Sequence, residues 1–129
     1  GTPLYTFGYG LSYTTFEYSG MKLAAGDGKD LVQTITCTVT NTGNRDGEEV
    51  VQLYVNDEVS SIVVPALQLK GFKKVFLKKG ESKEVTFTLT RKDLSFYNKD
   101  LIFAAEPGKF NVMIGGSSDN LPLKGSFVL

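Results

Sequence analysis

Alternation with a period of two governs this chain. Between Leu31 and Thr40 the threonines at 34, 36, 38 and 40 fall on one parity, and Leu31, Ile35, Cys37 and Val39 fall on the other. Successive side chains of an extended strand point to opposite faces, so such a segment presents one apolar and one polar face. A helix made from the same residues would scatter the apolar side chains around its circumference. The pattern returns at Val51, Leu53 and Val55 against Gln52 and Tyr54, at Val85, Phe87 and Leu89 against Thr86, Thr88 and Thr90, and again at Phe110, Val112 and Ile114. No helical period is sustained. The chain is expected to be all-β.

Turn residues divide the pattern into strands. The first runs from Phe16 and Tyr18 to about Leu23 and ends at Ala24-Ala25-Gly26-Asp27-Gly28. Leu31 to Thr40 follows, then the turn Asn41 to Gly47, whose residues tolerate positive φ or bond their own backbone. Val50 to Asn56 is expected inward at Val51, Leu53 and Val55, and Asp57 to Pro65 reads as a loop. Leu67, Leu69 and Phe72 belong to a strand interrupted by Gly71 at a bulge, continued by Val75 and Leu77 to the turn Lys78 to Glu81. Thr90 to Asp93 can open one helical turn, with Thr90 as cap and Asp93 answering it. Short strands are expected at Leu101 to Ala105, across Phe110 to Ile114 and over Leu123 to Leu129, with a tight turn at Glu106-Pro107-Gly108. About seven to eight strands at intervals of roughly ten residues match an immunoglobulin-like or fibronectin type III-like β-sandwich.

Composition narrows the function. Fourteen basic and fourteen acidic residues give no net charge, which argues against nucleic acid or an acidic membrane surface as partner. There is no histidine, so no Ser-His-Asp or Cys-His arrangement exists and the usual zinc sites are ruled out. Cys37 is the only cysteine and reads as a small buried hydrophobe without an activating base. Asp27, Asp30, Asp46, Asp57, Glu58, Glu81, Asp100, Glu106 and Asp119 all fall in expected turns. Glu48 and Glu49 are adjacent on a strand and so face opposite ways. Paired catalytic carboxylates need a shared cleft, which this arrangement does not supply. Asp27, Asp30, Asp46, Asp57 and Glu58 offer oxygens for calcium, but no spacing resembles an EF-hand. No metal, cofactor or catalytic residue is assigned. Lys70, Lys73, Lys74, Lys78, Lys79 and Lys83 read as a solvated edge that resists aggregation.

The opening run carries more apolar side chains than a solvated tail needs. Tyr5, Phe7, Tyr9, Leu11 and Tyr13 occupy alternate positions, with Gly8 and Gly10 opposite. Such a face must pack on something: either this domain's own sheet or a neighbouring domain. The chain has no initiator methionine and opens inside this motif, so a piece of a longer protein is expected, with any export signal outside it. Residues 1–13 are assigned as an aromatic strap and residues 14–129 as the sandwich.

The run from Pro3 to Phe16 resembles the opening motif of the fibronectin type III-like domain that ends many family 3 glycoside hydrolases, the β-glucosidases and β-xylosidases. Val39 to Val55, Leu69 to Val75, Glu106 to Phe110 and Gly115 to Asp119 resemble the same domain in the same order. Two positions depart from it. Tyr9 stands where histidine is frequent, and Phe103 stands where tryptophan is usual before the Glu-Pro-Gly turn; both keep an aromatic ring. In that family the nucleophilic aspartate and the acid/base residue lie on upstream domains, so the resemblance implies no catalytic residue here. It implies instead a non-catalytic accessory domain with the catalytic domains of the same chain as partner and a strap lying against them, and a bacterial parent that is periplasmic or secreted. A carbohydrate-binding module using exposed rings such as Tyr54 or Tyr97 is the alternative, and an adhesive immunoglobulin-like domain a third.

Overall fold

The computed structural model of the chain describes residues 14–58 and 67–129. Two antiparallel sheets face each other. β1 (Phe16–Ala25), β2 (Leu31–Asn41) and β5 (Ser82–Thr90) form the first, in the order β1-β2-β5. β3 (Gly47–Asp57), β4 (Gln68–Leu77), β8 (Lys109–Gly115) and β9 (Leu123–Val128) form the second, in the order β4-β3-β8-β9. Between β5 and β8 lie the one-turn helix α1 (Arg91–Leu94) and a ribbon of two-residue strands, β6 (Phe96–Tyr97) and β7 (Phe103–Ala104). The expected all-β sandwich is present, with seven strands in its two sheets among the described residues. Most of the loop expected from Asp57 to Pro65 lies outside the described residues.

The core follows the alternation. Ile35, Cys37 and Val39 of β2 and Val85, Phe87 and Leu89 of β5 are buried on one side, paired across the ladder as Ile35 with Phe87 and Cys37 with Val85. Val51, Leu53, Val55, Leu77, Phe110, Val112, Ile114 and Phe127 meet them from the other sheet. The rings of Phe110 and Phe127 stack with centroids 5.4 Å apart. Two polar residues share the inward parity of β2: Gln33 and Asn41 are both buried. Burial pushes the Cys37 thiol up to about 11, with the Glu84 charge a smaller contribution, so the group stays protonated and unreactive.

The expected bulge is real. The register between β3 and β4 shifts between Leu53 and Tyr54, with Leu53 opposite Gly71 and Tyr54 opposite Leu69, which leaves Lys70 as the extra residue. Gly71 lies over Phe87, where an added Cβ would stand 3.1 Å from the ring. The Lys73 amino group sits 5.7 Å from the same ring's centroid, a distance at which cation and π face attract. β4 is an edge strand, and its lysines blunt that edge as expected. Thr90 and Asp93 form the expected capping box at α1.

One expected strand is largely a turn. Only Phe103–Ala104 of the Leu101–Ala105 segment pairs. The Asn98 carbonyl accepts from the Leu101 N–H at 2.9 Å, and the Asn98 side chain accepts from the Asp100 and Ile102 N–H groups. Those local bonds curl residues 98–102 before they can extend.

Cys37 sits on the central strand of its sheet, so its thiol should react only when the sandwich opens as a whole. Ile35→Ala removes about 3 kcal/mol of core stability and should raise the rate of Cys37 labelling by an aromatic disulfide reagent about 100-fold. An unchanged rate would mean that β2 opens locally.

Candidate interdomain surface

Asn41 organises one end of the sandwich. Its side-chain N–H groups donate to the carbonyls of Arg45 at 2.7 Å and Leu77 at 3.0 Å. Its Oδ1 accepts from the Thr14 hydroxyl at 2.8 Å and the Gly43 N–H at 3.0 Å. Its backbone N–H donates to Glu81 and its carbonyl accepts from Gly80. A buried primary amide has two donors and two lone pairs, and all four are used. The residue therefore joins β2, the 42–46 loop, β4 of the opposite sheet and the incoming chain at Thr14.

Thr42 and Gly43 complete a clamp on that incoming chain. The Thr42 N–H donates to the Thr15 carbonyl at 2.9 Å, and the two threonine hydroxyls lie 2.9 Å apart. A Cβ on Gly43 would collide with Thr14 and the Thr15 nitrogen, so only glycine lets the strands approach this closely. Asp46 accepts from the Lys79 N–H at 2.8 Å and ties the same loop to the β4–β5 turn.

Beside the clamp, Tyr18 on β1 donates to Oε2 of Glu49 on β3 at 2.7 Å, a bond between the two sheets. Burial, then the neighbouring Glu49 charge, holds the Tyr18 phenol above its ordinary range. Burial likewise raises the Glu49 carboxyl, while the bonds from Tyr18 and the Val50 N–H pull it back. Tyr18 and Glu49 each line a depression. The first, about 550 Å³, includes Phe16, Thr42 and Pro122. The second is a groove of about 740 Å³ on the outer face of β3 and β4. Its walls come from the bulged register: Gln52 stands opposite Phe72 and Val50 opposite Lys74, and Phe72 is 66% exposed with Leu69 and Phe76 about half exposed. The groove's polar wall is braced: Gln52 donates to the Gly116 carbonyl at 3.0 Å and accepts from the Tyr54 hydroxyl at 2.6 Å.

Glu49 is engaged by Tyr18, and Glu48, expected to face away from it, lines the same groove. Asp27, Asp46, Glu81 and Asp93 accept from backbone N–H groups of their own turns or neighbouring ones. Glu58 accepts from the Asn111 side chain and faces Lys109. Among the described residues no three ligating side chains gather to hold a metal. Of the alternative sugar-binding rings, Tyr54 is half-buried, and Tyr97 is exposed with its ring tilted 48° from that of Phe103. The strap residues Tyr5, Phe7, Tyr9, Leu11 and Tyr13 lie outside the described residues.

The fibronectin type III-like domain family description matches residues 49–118. The chain belongs to that family. It is 48% identical to a periplasmic β-glucosidase of Salmonella typhimurium over 98% of its own length and 17% of that protein's. It is 46% identical to a β-xylosidase of Formosa agariphila, over 95% of this chain and 17% of that one. The crystal structure of a Bifidobacterium adolescentis GH3 β-glucosidase superposes with a TM-score of 0.85 at 37% identity, covering 95% of this chain and 18% of that one. The fibronectin type III-like domain thus spans about a sixth of the length of the curated relatives it matches. The Asn41 amide and the Tyr18–Glu49 bond were missed from sequence. For Asn41 a signal existed, since it continues the inward parity of β2; for the Tyr18–Glu49 bond there was none.

Asn41→Leu keeps the volume but strands two carbonyls, a hydroxyl and an N–H; urea denaturation should show a loss on the order of 3 kcal/mol. A loss below about 1 kcal/mol would mean water replaces the amide. Glu49 gives a pH test. Its raised folded value means the folded state holds the extra proton, so stability is greatest below the ordinary carboxylate range and falls as pH rises through it. Glu49→Gln removes the charge and leaves Tyr18 an acceptor. The stability of the parent sequence relative to that variant should decline as pH rises through and above the ordinary carboxylate range, and a rise would show that the Tyr18 bond outweighs burial.

Proposed function

We propose that this fibronectin type III-like domain is a non-catalytic accessory domain of a family 3 glycoside hydrolase, a β-glucosidase or β-xylosidase, and that it buttresses the catalytic domains of its parent chain. The asymmetry of coverage carries this reading: nearly all of this chain matches about a sixth of each glycosidase. Residues 1–13 serve as a strap whose face of Tyr5, Phe7, Tyr9, Leu11 and Tyr13 lies against the catalytic region. The clamp on Thr14 and Thr15 supports this, because it sets the point at which such a strap joins the sandwich. The neighbouring groove adds apolar surface on the same domain.

Calorimetric titration of the domain against the remaining parent chain should show saturable binding with a negative heat-capacity change. Changing Tyr5, Phe7 and Tyr9 together to serine should weaken it at least about tenfold. Binding to insoluble glucan or xylan, with none to the parent, would instead make the domain a substrate-targeting module.

A further inference from the structure

Between β5 and β8 the chain leaves the two sheets: Leu94 of α1 packs into the core, and the ribbon that follows it runs outside. The chain passes through α1, runs out along β6, turns over residues 98–102 and returns along β7. Only Phe96 with Ala104 and Tyr97 with Phe103 pair. The turn is nevertheless tightly specified. Asn98 Oδ1 accepts from the N–H groups of Asp100 at 2.8 Å and Ile102 at 3.1 Å. The Asn98 N–H donates to the Ile102 carbonyl, and the Leu101 N–H donates to the Asn98 carbonyl.

The side chains on this turn are the wrong kind for a free loop. Leu101 has φ of 61° and is the only non-glycine residue at positive φ among the described residues. That region disfavours branched side chains and suits glycine or asparagine. Leu101 is 80% exposed, Tyr97 63%, Ile102 58% and Phe103 47%, and none of the four belongs to the core. Turn tips ordinarily carry Gly, Asn, Asp or Ser. Here strain and apolar exposure coincide on a preorganised tip, which is where backbone strain marks function.

We propose that this ribbon is an apolar knuckle that inserts into the catalytic region of the parent glycosidase, with Leu101 and Ile102 as anchors and Tyr97 and Phe103 on their flank. The inference rests on the buttress reading and names a second, independent contact for it. A tethered neighbour fits best because about five-sixths of each matched relative lies beyond the part aligned here. A tether supplies a high effective concentration, so a small contact suffices. Four side chains cannot bury the roughly 800 Å² per partner that a stable dimer needs. A glycan fits less well: the two rings are tilted 48° apart and offer no flat platform, and Asn98 Oδ1 is already taken by two N–H groups.

The test uses the full-length parent. Leu101→Asn with Ile102→Asn suits the backbone and removes the apolar tip. Ile102→Ser alone, which leaves the Leu101 backbone untouched, guards against misfolding of the double variant. Hydrogen-exchange protection of β2 and β3 confirms that the sandwich is intact. Wild type should unfold in one coupled transition. Both variants should lower the midpoint of the catalytic region by about 2–4 °C, and the double variant should split the transition in two. Coupled unfolding at an unchanged midpoint in both variants overturns the knuckle and leaves the buttress standing. Two independent transitions already in wild type overturn both. A change from dimer to monomer on substitution, or loss of glucan binding without a thermal shift, overturns the proposed occupant.

Discussion

The arrangement of this domain depends on one buried amide. Asn41 lies at the end of the central strand of one sheet and donates to Leu77 at the end of an edge strand of the other. Apolar side chains hold the two layers together, but hydrophobic burial has no direction and tolerates sliding. An amide with four specific partners does not. It fixes where the 42–46 loop folds back, where the β4–β5 turn sits and where the chain enters at Thr14.

From that fixed end, much of the domain's polar chemistry is spent on its own fold. Several of its acids work as turn acceptors, and the half-buried Glu49 bonds a phenol across the sheets. Carboxylates that are consumed by structure do not converge on a substrate. What the surface offers instead is apolar: the outer face of β3 and β4 around Phe72, and the tip of the β6–β7 ribbon. The bulge at Lys70 brings Leu69 and Phe72 onto the same outward face. Both features suit contact with another protein surface more than they suit the domain alone.

The fold was legible because each long strand buries one face. Val85, Phe87 and Leu89 announce their direction by alternation, and so do Val51, Leu53 and Val55. The Thr90 capping box was legible for a similar reason, since its spacing is local. The segment from Leu101 to Ala105 was not. Its apolar residues read as a strand, yet the Asn98 side chain bonds the backbone two and four residues on and turns the chain. A propensity summed over residues cannot register one side chain's competing bonds.

Residue type and spacing along single strands were enough for the all-β class, the inward residues, the bulge near Gly71 and the lack of histidine-based chemistry. It took the packed fold to show that Asn41 joins two sheets, that Tyr18 meets Glu49 and that Leu101 is held out at a strained tip. Each of these depends on segments far apart in the chain or on a backbone bond that parity does not encode. A period of two says which face a side chain takes, and packing alone says what that face will meet.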